Sequence, residues 1–248
     1  TLLYVHTLVY NAYSIILPVT WSLETEVQFY IAIPFLAILI LDFKDRRISL
    51  GLGVLLFLSS ILFRGYLLRE GIYGMIASLP GFLSYFLVGI FFAYLFLTKE
   101  KWLRRKTLGW DFIGVLAFVG MFWFYKPQAD FTKQLFFNLS IFILFCSAFK
   151  GVWINAFLIS PVIYLIGGMC YTIYLLHLPL FGLFVRFSGN FILGDSYFAN
   201  LCLQFVFGFT LLMVISAIFF IVIEKPCMDK NWHLNLGRRL GLNRQEKP

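Results

Sequence analysis

Apolar residues run along this chain in long uncharged blocks, separated by short clusters of Lys, Arg, Asp and Glu. A block of about 20 apolar residues crosses roughly 30 Å of hydrocarbon as a helix. The first complete block is 20–41, stopped by Asp42-Phe43-Lys44-Asp45-Arg46-Arg47. Further spans are expected at 48–63, 78–98, 112–125 (a short one, borrowing back toward Thr107) and 134–149. The next uncharged stretch, 151–185, is too long for one span and awkward for two, and Gly167-Gly168 divides it. Residues 152–166, broken by Pro161, are expected to form an interfacial or re-entrant segment, with the sixth span at 169–185 and the seventh at 197–223. The pattern predicts an all-α, polytopic helical membrane protein with about seven complete spans plus a stub at 2–10. We expect one transmembrane domain over 1–226 and a polar, basic, cytoplasmic tail over 227–248.

Charge counting bears on the topology. With seven spans, one side of the membrane carries 15 Lys and Arg and the other 5; splitting 152–185 into two spans would give 10 and 10. The positive-inside tendency favours seven, with the C-terminus in the cytoplasm. Composition agrees with a membrane protein. Hydrophobic residues make up 61% and charged residues 13%, with a mean hydropathy of +0.87, where a soluble domain carries about 25% charged residues. The net charge of +8 lies between spans and on the tail, so it does not point to nucleic acid. Cys146, Cys170, Cys202 and Cys227 follow no metal-ligand spacing and suggest no disulfide framework. No metal or bound cofactor is expected. The chain opens at Thr1 inside an apolar stretch, so we expect it to be an N-terminally truncated piece of a longer protein.

An ionisable residue inside a span is expensive and marks a functional-site candidate. Three places qualify. In the run from Thr20 to Tyr30, Ser22, Glu26 and Tyr30 recur at i, i+4 and i+8 and form one polar stripe if helical, while Glu24 points elsewhere. A carboxylate there, beside a phenol and a hydroxyl, can accept a hydrogen bond from a sugar or orient a base. Equally, acidic residues and a Ser22 or Thr20 cap suit the first turn of a helix.

The second place is Tyr174 and His177, i, i+3 neighbours ahead of Pro179. Histidine suits proton transfer near neutral pH, and Pro179 frees the carbonyl of Leu175. A hydrogen-bonded packing role explains a lone intramembrane His as well. The third is Glu224-Lys225-Pro226, which reads as a helix stop signal, although a carboxylate at a helix C-terminus is unfavourable without a partner. His6 and His233 attract no assignment, and Arg64 and Arg69 are expected to snorkel at a span end.

Together these segments resemble the acyltransferase-3 family of membrane-bound O-acyltransferases. Its W-S-L-x-x-E-x-x-F-Y-x-x-x-P pattern is matched by Trp21-Ser22-Leu23, Glu26, Phe29-Tyr30 and Pro34. Its S-Y-x-x-Y-L-x-H-x-P pattern is similar to Cys170 through Pro179, with Cys170 where Ser is usual, and its closing I-E-K-P is found at Ile223–Pro226. The resemblance puts Glu26, rather than Glu24, in the family's acidic position.

That resemblance implies ten spans with both termini cytoplasmic, and acyl transfer from acyl-CoA to a hydroxyl of a carbohydrate or surface glycan, such as polysaccharide O-acetylation. It implies Glu26 and His177 as catalytic candidates and Trp21, Ser22, Tyr30, Tyr174 and Glu224 as substrate-binding candidates. The family's main proposed base, a His in its first span preceded by Arg or Lys, has no counterpart in these residues. The expected partners are acyl-CoA, a glycan acceptor and the lipid bilayer of a bacterial inner membrane, without nucleic acid. A transporter or flippase-like protein using intramembrane Glu and His, or an inactive homologue, is the alternative expectation.

Overall fold

A computed structural model describes residues 4–12, 19–41, 46–125, 130–188, 196–228, 230 and 232. Every regular element among them is helical, and the chain forms two compact units, Thr1–Ser160 and Pro161–Pro248. Among the described residues, six helices are long and apolar enough to cross a membrane, and a shorter apolar one stands where the short fourth span was expected.

The first unit begins with α1 (His6–Tyr10), α2 (Thr20–Leu41), α3 (Arg46–Glu70), α4 (Tyr73–Ile76) and α5 (Leu79–Leu103). It continues with α6 (Leu108–Phe124), α7 (Phe131–Lys150) and α8 (Trp153–Leu158). Helix α5 touches α2, α3, α4 and α7, so it anchors the unit. Ile40 of α2 packs with Leu87 and Ile90 of α5, under Phe29, Leu36 and Leu39 of α2 and Leu56 and Phe57 of α3.

Two expected boundaries move. The second span continues beyond residue 63, so α3 carries Arg64 and Arg69 within its helix. It stops at Gly71, whose φ of +68° suits a residue without Cβ, and Ile72 N–H donates to the Leu67 carbonyl in the pattern of a Schellman cap. The 152–166 segment is broken at Pro161, as expected, into two short helices, the second of which runs on to Gly168. α8 ends before Ser160, and Pro161 opens α9 (Pro161–Gly168), where a first-turn proline loses no helical donor.

Helices α6 and α7 pair through small residues. A Cβ placed on Gly114 would lie 2.8 Å from Ser147 Cβ and 2.6 Å from Ile154 Cδ1, and one on Gly120 would lie 3.2 Å from Ser140 Oγ. Close backbone approach of this kind drives helix association in lipid, where apolar surface alone gives no advantage. Asp111, Gly114 and Ala117 form the buried stripe of α6, and Phe112, Val115, Phe118, Val119 and Phe122 are exposed around it. Such a surface fits hydrocarbon.

The second unit holds α9, α10 (Cys170–Ser188), α11 (Tyr197–Phe219), a π-turn at Phe220–Glu224 and α12 (Lys225–Cys227). α10 packs on α11, where Gly208 admits Phe181 and Phe184: a Cβ there would lie 3.0 and 3.2 Å from their rings. The π-turn has a local cause. Pro226 has no N–H for the carbonyl four residues earlier, and the helix widens so that Lys225 N–H reaches Phe220 O. The tail beyond Trp232 lies outside the described residues, as do residues 42–45.

Candidate functional site

The head of α2 presents three neighbouring rows of side chains. Trp21, Thr25 and Phe29 face α5: Trp21 stacks on Phe82 at 5.3 Å, Thr25 Oγ1 lies 3.1 Å from the Ala77 carbonyl, and Phe29 stacks on Phe86 at 4.1 Å. Glu24 and Gln28 form a second row. The Glu24 carboxylate accepts from both the backbone N–H and the hydroxyl of Thr7 at 3.0 Å, and is only 2% exposed. Gln28 donates to the Tyr4 carbonyl at 2.9 Å and accepts from Leu79 N–H at 2.9 Å, one of the donors that the first turn of α5 leaves without an intrahelical partner.

Ser22, Glu26 and Tyr30 make the third row, since α2 is helical throughout the stripe expected from the sequence. Glu26 is half-buried and Tyr30 is 61% exposed, while Ser22 Oγ donates to Val19 O at 3.1 Å. Pro34 further along leaves the Tyr30 carbonyl without its helical donor. The stripe therefore offers a carboxylate acceptor next to a phenol on a face that α5 does not cover. Glu24 has the opposite character: it is buried, doubly hydrogen-bonded and structural.

Arg64 of α3 also enters this unit's interior. Its Nη1 donates to the Gly81 carbonyl at 2.5 Å, and the guanidinium lies 4.8 Å from the centre of the Phe82 ring and 5.4 Å from that of Tyr85. A Phe82 ring touched by both Trp21 and Arg64 ties three helices together at the head of α2. Sequence reasoning placed Arg64 at a span end. The aromatic residues that receive it lie 18 and 21 positions later in the chain and gave no local signal.

In the second unit, the Tyr174 and His177 rings lie 5.5 Å apart, both half-buried. His177 Nδ1 is within hydrogen-bond reach of the Tyr174 carbonyl. A carbonyl accepts only, so this contact calls for a proton on Nδ1. The Glu224 carboxylate gains the partner its position requires: the hydroxyl of Thr172, which is almost fully buried, donates to it across 52 residues. Thr172 and His177 are five residues apart on α10, about 140° around the helix. Glu224 is thus joined to a different side of α10 from the Tyr174–His177 pair.

The geometry offers two polar constellations, one built on Glu26 and one on His177. No group of His, Cys, Asp and Glu able to hold a metal ion occurs among the described residues. A family model described as an acyltransferase domain matches residues 2–223, which take in both constellations. Neither a curated protein nor a solved structure matches the chain.

Proposed function

The chain belongs to the acyltransferase family of that model, and on that premise we propose that it is a membrane-bound O-acyltransferase. It moves an acyl group, taken to be acetyl, from acyl-CoA to a hydroxyl of a carbohydrate or surface glycan. The observation that carries this reading is the family match over residues 2–223, which takes in the first two motif segments and reaches the start of the third at Ile223. The charge asymmetry between alternate loops supports an orientation with the C-terminus in the cytoplasm, and the membrane of this proposal is a bacterial inner membrane.

In the reaction, the acceptor oxygen attacks the thioester carbonyl, a C–O bond forms, and the C–S bond breaks as the tetrahedral intermediate collapses. CoA leaves as its thiol, carrying the proton lost by the acceptor. The step needs a base for that proton and donors for the oxyanion. Glu26 accepts the hydrogen bond of the acceptor hydroxyl and orients it, with Tyr30 and Ser22 beside it and Trp21 supporting the helix head. His177 handles a proton through Nε2, with Tyr174 next to it. Glu224, held by Thr172, takes a polar group of the substrate.

Deleting the complete gene in its host and weighing the envelope glycan tests this directly. The expected result is loss of the acyl mass increment, restored when the gene is returned. A glycan of unchanged mass would overturn the proposal.

A further inference from the structure

The end of α5 is built in more detail than a topology signal requires. The helix breaks at Lys99, where φ is −131° and ψ 33°, and then makes one more turn through Leu103, which is buried. That turn is fastened from beneath. Lys150, only 4% exposed at the end of α7, donates to the Trp102 carbonyl at 2.8 Å and reaches the Arg105 carbonyl at 3.4 Å. Its ammonium lies 3.8 Å from the centre of the Trp102 ring and 5.4 Å from that of Trp110, and the two indoles meet edge to face. A buried ammonium is costly unless carbonyls and ring faces replace its water. Here it fixes the backbone of one basic turn.

A shallow groove runs over this turn, lined by Leu97, Thr98, Lys99, Glu100, Lys101, Trp102 and Arg105. The neighbouring Arg104 is neutralised by Glu100 in an ion pair at 2.6 Å. Glu100, the carboxylate of the lining, is thus engaged by Arg104, and Lys99, Lys101 and Arg105 outnumber it in the groove. Trp102, covered on one side by Lys150, is still 42% exposed. The positive-inside tendency needs only charge in a loop. A fixed backbone, three cations beside a carboxylate already paired with Arg104, and an indole form a recognition surface for phosphate groups next to a flat base.

We infer that this groove binds the phosphorylated adenine nucleotide portion of the acyl-CoA donor, with Lys99, Lys101 and Arg105 on the phosphates and Trp102 beside the adenine. The inference rests on the acyl-CoA reading given above. Lys150 is a positioning residue, acting through the turn that it holds.

The test is equilibrium binding of coenzyme A to the full chain in bilayers of phosphatidylcholine alone, with pantetheine, which lacks the nucleotide, as the second probe. Replacing both Lys101→Gln and Arg105→Gln is expected to weaken coenzyme A binding by about tenfold or more, and Trp102→Leu by a similar factor. Pantetheine binding is expected not to change. Both basic positions are exposed, so their replacement leaves the fold intact. The inference is overturned if the parent chain binds no coenzyme A, or if the variants bind it as the parent does. It is also overturned if they lose only association with bilayers containing phosphatidylglycerol, which would make the groove a lipid headgroup site. Glycan acylation that persists with coenzyme A binding unaltered in the variants removes this site alone. Nucleotide-dependent binding without any acyl transfer removes the acyltransfer reading and leaves the site.

Discussion

Glu24 and Thr7 form a closed hydrogen-bonded pair, with one carboxylate oxygen accepting from both the backbone N–H and the hydroxyl at 3.0 Å. The pair joins α1 to the head of α2 and leaves Glu26, two residues on, as the half-buried carboxylate of that segment. Two acidic residues in one short motif thus have separate work. Glu24→Ala strands two buried donors and should lower stability by about 1–3 kcal/mol, while Glu24→Gln keeps an acceptor and should lose less. Thermal unfolding of the detergent-solubilised chain checks the order; no loss in either variant would show that the pair contributes little.

The Thr172–Glu224 contact predicts a similar separation in the second unit. Thr172→Val removes the donor from a buried position and should cost about 1–3 kcal/mol. Pro226→Ala restores a backbone donor, and the π-turn at Phe220–Glu224 should tighten toward a regular helix. Glu224 then rotates away from Thr172, so acyl transfer should fall, while the regained backbone hydrogen bond offsets the lost Thr172 contact in stability. Hydrogen exchange of the backbone amide gained in the Pro226→Ala variant reports the change, and an amide that exchanges freely would argue against it.

Replacing Arg64 by Leu removes a bond to the Gly81 carbonyl and two ring contacts. The expected loss is about 1–2 kcal/mol, with Arg64→Lys intermediate because an ammonium lacks the planar surface that stacks on Phe82 and Tyr85. Unfolding midpoints in detergent order the three chains. A lysine variant as stable as the parent would show that charge alone is needed.

Gly114→Ala tests the α6–α7 pairing. The added methyl lies within 2.8 Å of Ser147 Cβ, which cannot turn aside, so the two helices must separate or shift. A destabilisation of about 1–3 kcal/mol is expected. Gly109→Ala, where nothing lies within 4 Å of the new carbon, should not destabilise, and it serves as the control in the same unfolding measurement.

Much of this was legible from the order of apolar blocks alone. The first span was expected at 20–41 and α2 is Thr20–Leu41, because the charged run from Asp42 to Arg47 ends the uncharged stretch that follows Tyr30. The second span was drawn short because Arg64 was taken as its boundary, whereas rings from another helix let the charge stay inside. The Ser22–Glu26–Tyr30 stripe follows from helical spacing, and the structure keeps it. The roles of Glu24, Lys150 and Thr172 were not legible. Each depends on a partner 17 to 52 residues away, and no local pattern carries that information.

Transfer of labelled acetyl from acetyl-CoA to envelope glycan tests the central claim most directly, in membranes carrying the protein from its complete reading frame. The parent should label the glycan. Glu26→Gln, inserted in the membrane to the same level, should lose about 100-fold or more of the rate, while Glu24→Gln should retain activity in proportion to its folded fraction. Undiminished labelling by Glu26→Gln, or a parent that transfers nothing, would contradict the account.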